Sequence, residues 1–396
     1  MRPLEGIKVL DFTQALAGVF CAYYMGDFGA EVIKVERPKY GDQSRGWGPF
    51  KNELSGYYAS FNRSKKSITV DMRSEEGKHL ILDLVKECDV VLENFKVGTL
   101  DRLGIGYERM KEVNPKIIYG SVSGFGIEGP LSHLPCYDIV AAARSGIVDR
   151  TGEKNGEPVK PGYSLCDNWS GLNLLNGISM ALYRKEISGE GMRLDVSMLD
   201  SAFYLMDWPM IEYSVFGTIP ERNGNHHASI APYGVYKAAD GYVALAVDCE
   251  EDWNKFCKLM DLDYLNNNPK FIDNEARLKN LSELVEEIEK VTSEIPKLKI
   301  EKMLAPKGIA AGSVMTIPEV INSEQTKARE MVIEVNQKAI GKMKTMGIPM
   351  KFSKTPGNPY SSAPLLGEHN DEILRKLLYL RYTQEIHEDL YHKQVV

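Results

Sequence analysis

Residues 13–18 lack a Gly-x-Gly-x-x-Gly fingerprint, and the sequence contains no Cys-x-x-Cys pair, no long apolar run and no excess of basic charge. Each absence removes a class of function. Residues 13–18, TQALAG, follow an apolar run as a phosphate loop would, but without the glycine fingerprint they do not support nicotinamide binding. Six cysteines, at 21, 88, 136, 166, 249 and 257, are scattered singly, which reads as reduced thiols rather than a disulfide frame or a zinc site. Histidines are few, and His226 and His227 are adjacent, a spacing that seldom chelates one ion, so no metal is expected. No run approaches the roughly 20 residues of a membrane span. The opening MRPLEGIKVLDF lacks the charged, apolar and small-residue succession of a signal peptide. The expectation is a soluble, cytoplasmic protein with no membrane partner. A net charge of -7 and a pI near 5.7 offer no basic face to nucleic acid.

What is present is an ordinary globular composition, 43% hydrophobic over 396 residues, long enough for one large or two medium cores. Residues 7–12 (IKVLDF) read as a strand, 15–29 as a helix and 29–37 as a second strand. A strand at 68–72 (ITVDM), an amphipathic helix over 74–89 capped by Ser74, and strands at 89–95 and 116–126 continue the alternation. That order predicts an α/β fold with a doubly wound parallel sheet. After residue 200 the pattern loosens. Residues 231–247 read as a β-hairpin about an Asp-Gly turn. Residues 251–304 read as helical, with a solvated charged face over 274–302. Proline and glycine dot 345–364, and the stretch APLLGEHNDEILRKLL reads as a loop entering a helix. There is no internal repeat and no low-complexity tract.

The chain is organised around residues 162–201. Asp167 precedes an apolar helix-like run, 172–183, then a basic glycine-punctuated turn, 184–191, and a strand-like stretch, 192–198. An Asp before a helix is a natural N-cap. A carboxylate in the positive field of a helix start also stays ionised and is a competent nucleophile. The two roles are compatible, and position alone does not decide between them. Cys166, next to it, reads as a small buried apolar residue.

This block resembles the family III CoA-transferases, the group of formyl-CoA, carnitine and bile-acid CoA-transferases, and the resemblance extends over nearly the whole chain. It implies that Asp167 is the catalytic nucleophile. It also implies a Rossmann-like large domain built from both chain ends, residues 1–224 and 326–396, with a smaller α+β domain inserted at 225–325. Two such chains would interlock as a homodimer. The partners implied are an acyl-CoA donor and a carboxylic acid acceptor, with coenzyme A thioester as co-substrate and no prosthetic group. The places that contact CoA in the family fall on Ala17, Arg37 (in KVER), Val70 and Arg73 (in VDMR), Asn94, Phe95 and Lys96 (in ENFKVGTL), Arg102 (in LDRLG), and Tyr137 and Asp138 (in CYD). Taken singly, Arg37, Arg73 and Lys96 read as solvated charges, Phe95 as core, Asn94 as a turn residue and Asp138 as a loop carboxylate. Their joint order and spacing carry the resemblance, with Lys96 and Arg102 the foremost phosphate candidates.

The implied reaction moves CoA between two carboxylic acids through an aspartyl-CoA thioester. The alternative on the same scaffold is a 2-methylacyl-CoA racemase, which pairs the Asp with the His of a Gly-His-Asp motif. Here that motif reads Cys136-Tyr137-Asp138, which favours transfer. A non-catalytic CoA-binding protein ranks last because Asp167 is present. A glutamine typical of the formyl/oxalyl subgroup is replaced by Leu16, and its Gln-Ala pair by Ala142-Ala143. Loss of an amide points to a bulkier or more apolar acceptor than a small dianion. Arg144 reads either as a partner for a second polar group of the substrate or as a surface ion-pair residue. Backbone N–H groups near Asp167 and in the 224–234 loop are the expected oxyanion donors.

Overall fold

The apolar runs pair side by side in the computed structural model, which describes residues 2–355, 361–378 and 384–396. Six strands form one sheet: β1 (Lys8–Asp11), β2 (Glu31–Glu36), β3 (Lys65–Thr69), β4 (Val90–Glu93), β5 (Ile118–Ser123) and β6 (Met192–Ser197). Their order is β3-β2-β1-β4-β5-β6, and every neighbouring pair is parallel. Because helices cover a parallel sheet, its strands are apolar runs with little alternation. Val9, Leu10, Val32, Ile33, Val90, Val91 and Leu92 are accordingly all buried. The strand order reverses between β1 and β4, and open parallel sheets place their ligand crevice at such a point.

The helices follow from local chemistry. Helix α1 (Ala17–Asp27) is buried on nearly every side, which suits a sequence apolar all round. It begins two residues later than expected because Ala15 takes a left-handed φ of +64°. Helix α2 (Glu75–Lys86) has Ser74 accepting the Gly77 N–H, acidic residues in the first turn and Lys86 in the last. Helix α3 spans Asp138–Arg144, and α4 spans Leu165–Ser188. The stretch 184–191, expected as a turn, is therefore mostly the last turns of α4. Gly189, at φ +73°, ends it in the left-handed conformation that glycine tolerates.

The strand expected at 68–72 lies at Lys65–Thr69 instead. Its polar start hides it from an apolar scan. Lys65 is buried because its ammonium meets Asp11 of β1 at 2.9 Å. The C-terminal segment closes on the same strand: Asn370 Oδ1 accepts the Thr69 N–H, and Asp71 donates to the Val395 carbonyl. Residues 345 and 346 end an antiparallel pair, Val332–Gln337 with Gly341–Met346, so the loop expected from 345 starts later. Residues 356–360 of that expected loop lie outside the described residues. Asn370–Leu378 is helical, as expected.

The chain divides into two compact units. One comprises Met1–Ile147, Lys160–Ile211 and Gln325–Val396, and the other Val148–Val159 and Glu212–Glu324. The second has its own core around Trp253, Phe256, Leu284, Ile288 and Ile300. Its expected hairpin is present, Tyr233–Ala238 antiparallel to Gly241–Ala246, with Ala310–Ser313 on the far edge of the second strand. Helices over Glu250–Leu259, Leu281–Thr292 and Lys297–Leu304 pack on it. Among the described residues, no helix is long and apolar enough to cross a membrane.

Helices α1 and α4 approach closely because residue 171 has no side chain. A Cβ there would lie 2.5 Å from the Ala17 carbonyl oxygen and 2.8 Å from the Phe20 Cβ. Gly171→Ala is expected to destabilise the protein by about 1–3 kcal/mol, read as a lower urea midpoint at unchanged slope. An unchanged midpoint would show that α1 can move away without cost.

Candidate active site

A pocket of about 560 Å³ opens at the carboxyl ends of the central strands. It is lined by Gln14, Ala15, Leu16 and Ala17 after β1, by Asn94 to Val97 after β4, by Val122 to Gly124 at the end of β5, and by Met198 after β6. That is the crevice the strand order predicts. Its size suits one end of a long substrate with apolar and polar parts.

The loop after β1 is held from two sides. Asn94 and Gln14 exchange hydrogen bonds, Gln14 N–H to Asn94 Oδ1 and Asn94 Nδ2 to the Gln14 carbonyl, both at 2.8 Å. Ala15, in its left-handed conformation, donates its N–H to Asp42 Oδ1 at 3.2 Å. Asp42 is itself ion-paired with Lys34 at 2.8 Å, both buried, and Lys34 donates to the Thr13 carbonyl at 2.6 Å. Burial alone would raise the Asp42 carboxyl, but the Lys34 charge and the Ser44 donors hold it down at about 2.

Asp167 lines this pocket, and its local setting differs from expectation. Ser164, not Asp167, is the N-cap of α4, and its side chain caps nothing. Asp167 is the third helical residue. The capping oxygen arrives from α3: Asp138 Oδ1 accepts the Cys166 N–H at 2.8 Å and the Asp167 N–H at 3.1 Å. The positive helix field was expected to keep Asp167 ionised. Burial, with the nearby Asp138 charge second, outweighs that field and lifts the Asp167 carboxyl to about 7. Its proton affinity is therefore far above that of an ordinary carboxylate. The same carboxylates reach their neighbours. Tyr57 is pushed up to about 12 by burial and then by Asp167, Asp42 and Asp138. Burial first, aided by the two site carboxylates, pushes the Cys136 thiol up to about 11 and that of Cys166 up to about 12. Both thiols are protonated and weakly nucleophilic at neutral pH.

Of the residues singled out in the sequence, the pocket brings together Ala17, Asn94, Phe95, Lys96, Tyr137, Asp138 and Asp167. Four lie outside its lining. Val70 is 1% exposed in the apolar core, with its N–H bonded to the Glu36 carbonyl, so its side chain is closed to a ligand. Arg37 is exposed and stacks 4.8 Å over the Tyr40 ring. Arg73 is exposed on the turn before α2, where its N–H meets Asp71. Arg102 is exposed and folds back onto the Val97 carbonyl and Thr99 Oγ1. Leu16 faces the pocket, whereas Ala142, Ala143 and Arg144 do not line it, and Arg144 lies 5.7 Å over the Phe125 ring. Sequence reasoning missed Gln14, Ala15, Gln43, Trp47, Tyr57 and Lys160. Ala15 carries no readable signal, because an alanine gives no hint of a left-handed backbone. Among the described residues the lining holds no histidine.

The 224–234 loop belongs to the second unit, where it borders a separate cavity with His226, His227 and Tyr233. Its N–H groups are largely taken within that unit: Gly224 donates to Gly152, His226 to Asn223, and His227 to Tyr233. Those three N–H groups are engaged in this structure.

Known proteins resemble this chain over nearly its whole length. The model of the family described as CoA-transferase family III matches residues 4–370. A mouse protein named succinyl-CoA:glutarate CoA-transferase is 36% identical over 385 residues, covering 97% of this chain and 88% of its own. An acetyl-CoA:oxalate CoA-transferase of Acetobacter aceti is 35% identical over 364 residues, covering 90% of this chain and 92% of its own. Among solved structures, a CAIB/BAIF family protein from Brucella suis superposes with a TM-score of 0.86 at 35% identity, covering 95% of this chain and 99% of the other.

The raised Asp167 carboxyl makes its ionised form a burden on the fold. The gap between about 7 and an ordinary 3.8 corresponds to at most ~4 kcal/mol, and partial exposure to solvent lowers this to about 1–2 kcal/mol. The deficit is absent below about pH 4, grows as pH rises to 7 and is constant above. Asp167→Asn should therefore be the more stable protein at pH 8 by about 1–2 kcal/mol and equal to the unsubstituted one near pH 4. Urea unfolding at both pH values tests this, and equal stability at pH 8 would contradict the raised carboxyl.

Proposed function

This chain belongs to CoA-transferase family III, and from that premise we propose that it moves CoA between two carboxylic acids through a covalent thioester on Asp167. The observation that carries the reading is a carboxylate in the lining of the sheet's ligand crevice that no cation or donor among the described residues neutralises. Such a group is basic and poorly solvated, the condition of an activated nucleophile.

The cycle runs as four acyl exchanges. An Asp167 carboxylate oxygen attacks the donor thioester carbonyl. The C–S bond breaks, leaving a mixed anhydride and CoA thiolate. The thiolate attacks the Asp167 carbonyl carbon, the anhydride C–O bond breaks, and the donor acid departs from an aspartyl-CoA thioester. The acceptor carboxylate then attacks that thioester carbon and again expels CoA thiolate. Finally the thiolate attacks the acceptor carbonyl, giving acceptor-CoA and a free Asp167 carboxylate. The thioester energy stays in enzyme-bound acyl groups throughout, provided water is kept away. The start of α1 at Leu16 and Ala17 has no side-chain cap, and its N–H groups are the proposed donors to the tetrahedral oxyanions.

Asn94, Phe95 and Lys96 are proposed to flank the pantetheine arm. Arg37, Arg73 and Arg102, on the surface outside the pocket, are proposed to meet the distal phosphates. The acceptor is proposed to be a dicarboxylate. The relatives above are named for glutarate and oxalate, and Lys160 in the lining offers a cation to a second carboxylate. This departs from the apolar acid that Leu16 suggested. The racemase alternative has no support in the lining, where Tyr137 is 64% exposed at the place of the racemase histidine.

The protein is further proposed to act as a homodimer. Met180, Tyr183 and Ile187 are 71%, 72% and 61% exposed along one face of α4, and a second copy would cover them.

Incubation with a panel of acyl-CoAs followed by hydroxylamine should place a hydroxamate on Asp167, in the tryptic peptide 155–184. Asp167→Ala should show neither adduct nor transfer. Deuterium exchange at the α-carbon of a 2-methylacyl-CoA without any adduct would make the protein a racemase instead. Lys160→Ala should raise KM for a dicarboxylate acceptor on the order of tenfold and leave KM for a monocarboxylate unchanged. An equal effect on both would remove Lys160 from acceptor recognition.

A further inference from the structure

Helix α4 is capped by a residue that is remote in sequence. Ser164 sits at the N-cap position without using its side chain. The second and third N–H groups of the helix, on Cys166 and Asp167, both donate to Oδ1 of Asp138, at 2.8 and 3.1 Å across 28 and 29 residues. Asp138 is in turn the first residue of α3. One oxygen thus joins two helix starts and fixes the backbone that carries the Asp167 side chain.

An asparagine would accept the same two bonds, and it caps helices as well as aspartate does. What aspartate adds is a negative charge beside another carboxylate, which by itself opposes ionisation of that carboxylate. From this juxtaposition we propose that Asp138 is a positioning residue for the transfer reaction, holding Asp167 through the helix backbone while its charge keeps the attacking carboxylate reactive. The proposal rests on the reading of Asp167 as nucleophile. It differs from the CoA contact that the sequence resemblance implies for Asp138, because it acts on Asp167 and not on the ligand.

The other groups around Asp167 do not replace it. Tyr57, from the helix Gly56–Phe61, and the thiols of Cys136 and Cys166 are all raised by burial and neutral at pH 7. Lys96 and Lys160 share the lining, but the causes that raise the Asp167 carboxyl are burial and then Asp138. A carboxylate with higher proton affinity attacks a thioester carbonyl faster, as long as enough of it is ionised at the working pH. The cap and the charge therefore make separable contributions.

Two substitutions separate them. Asp138→Asn keeps the acceptor and removes the charge, and Asp138→Ala removes both. Amide hydrogen exchange of the peptide covering the first turn of α4 should be unchanged in Asp138→Asn and about tenfold faster in Asp138→Ala. The pH dependence of adduct formation at Asp167 should show its acid limb about one pH unit lower in Asp138→Asn, with a lower plateau rate. In Asp138→Ala the limb should fall likewise, with the plateau lower again on the order of tenfold. The proposal is overturned if Asp138→Asn leaves the limb in place and only raises KM for the acyl-CoA, which would make Asp138 a ligand contact. It is overturned equally if Asp138→Ala leaves amide exchange unchanged. Absence of any adduct at Asp167 in the unsubstituted protein, at every pH, would instead sink the nucleophile reading and this proposal with it.

Discussion

The paired hydrogen bonds from the first turn of α4 to Asp138 fix the geometry on which the rest of the pocket depends. They tie the helix that carries Asp167 to α3, so neither helix start can shift alone. Close packing of α1 against α4 at Gly171 then sets the opposite wall, because the loop before α1 lines the same crevice. The parallel sheet supplies the frame: strand ends from β1, β4, β5 and β6 converge where the strand order reverses. A carboxylate held at that place by backbone bonds keeps its own oxygens available for chemistry.

Beneath the pocket lies a second polar layer that an apolar core would not need. Lys34 and Asp42 form a buried ion pair, Lys65 and Asp11 another, and Arg45 is bonded to Glu36. Buried pairs gain little net stability over well-packed apolar residues, but breaking one leaves an uncompensated charge at a cost of about 3–5 kcal/mol. Here they fix directions. The Lys34–Asp42 pair holds the Thr13 carbonyl and the Ala15 N–H, and so holds the strained turn that opens α1 toward the pocket. Rigidity at this loop comes from ionic contacts because a tight turn offers little apolar surface to bury.

Much of this was legible in the sequence. The α/β alternation, the Ser74 cap, the Asp-Gly hairpin and the clustering of Asn94, Phe95, Lys96, Tyr137 and Asp138 about Asp167 all follow from local pattern or from the family resemblance. What was not legible depends on partners remote in the chain. The strand at Lys65–Thr69 starts with two lysines, and the Asp11 carboxylate, with the Asn62 amide oxygen, explains why Lys65 is buried. The cap of α4 lies 28 residues before the first N–H it accepts, that of Cys166, so a local reading assigns the cap to Asp167. The ionisation of Asp167 went astray for the same reason. The helix field can be read from position, but desolvation and a second carboxylate cannot.

The two carboxylates at the start of α4 also bear on where the reaction comes to rest. In water, exchanging CoA between similar acids is close to thermoneutral, so no one acyl species accumulates. In the proposed cycle Asp167 is one of those acids, and it pays for its ionisation with the loss of solvent and the presence of Asp138. Conversion to a thioester erases that charge. The free energy that raises its proton affinity therefore also pulls the internal equilibrium toward the loaded enzyme. The resting form in a cell supplied with acyl-CoA would then be the covalent one, charged with CoA and waiting for an acceptor.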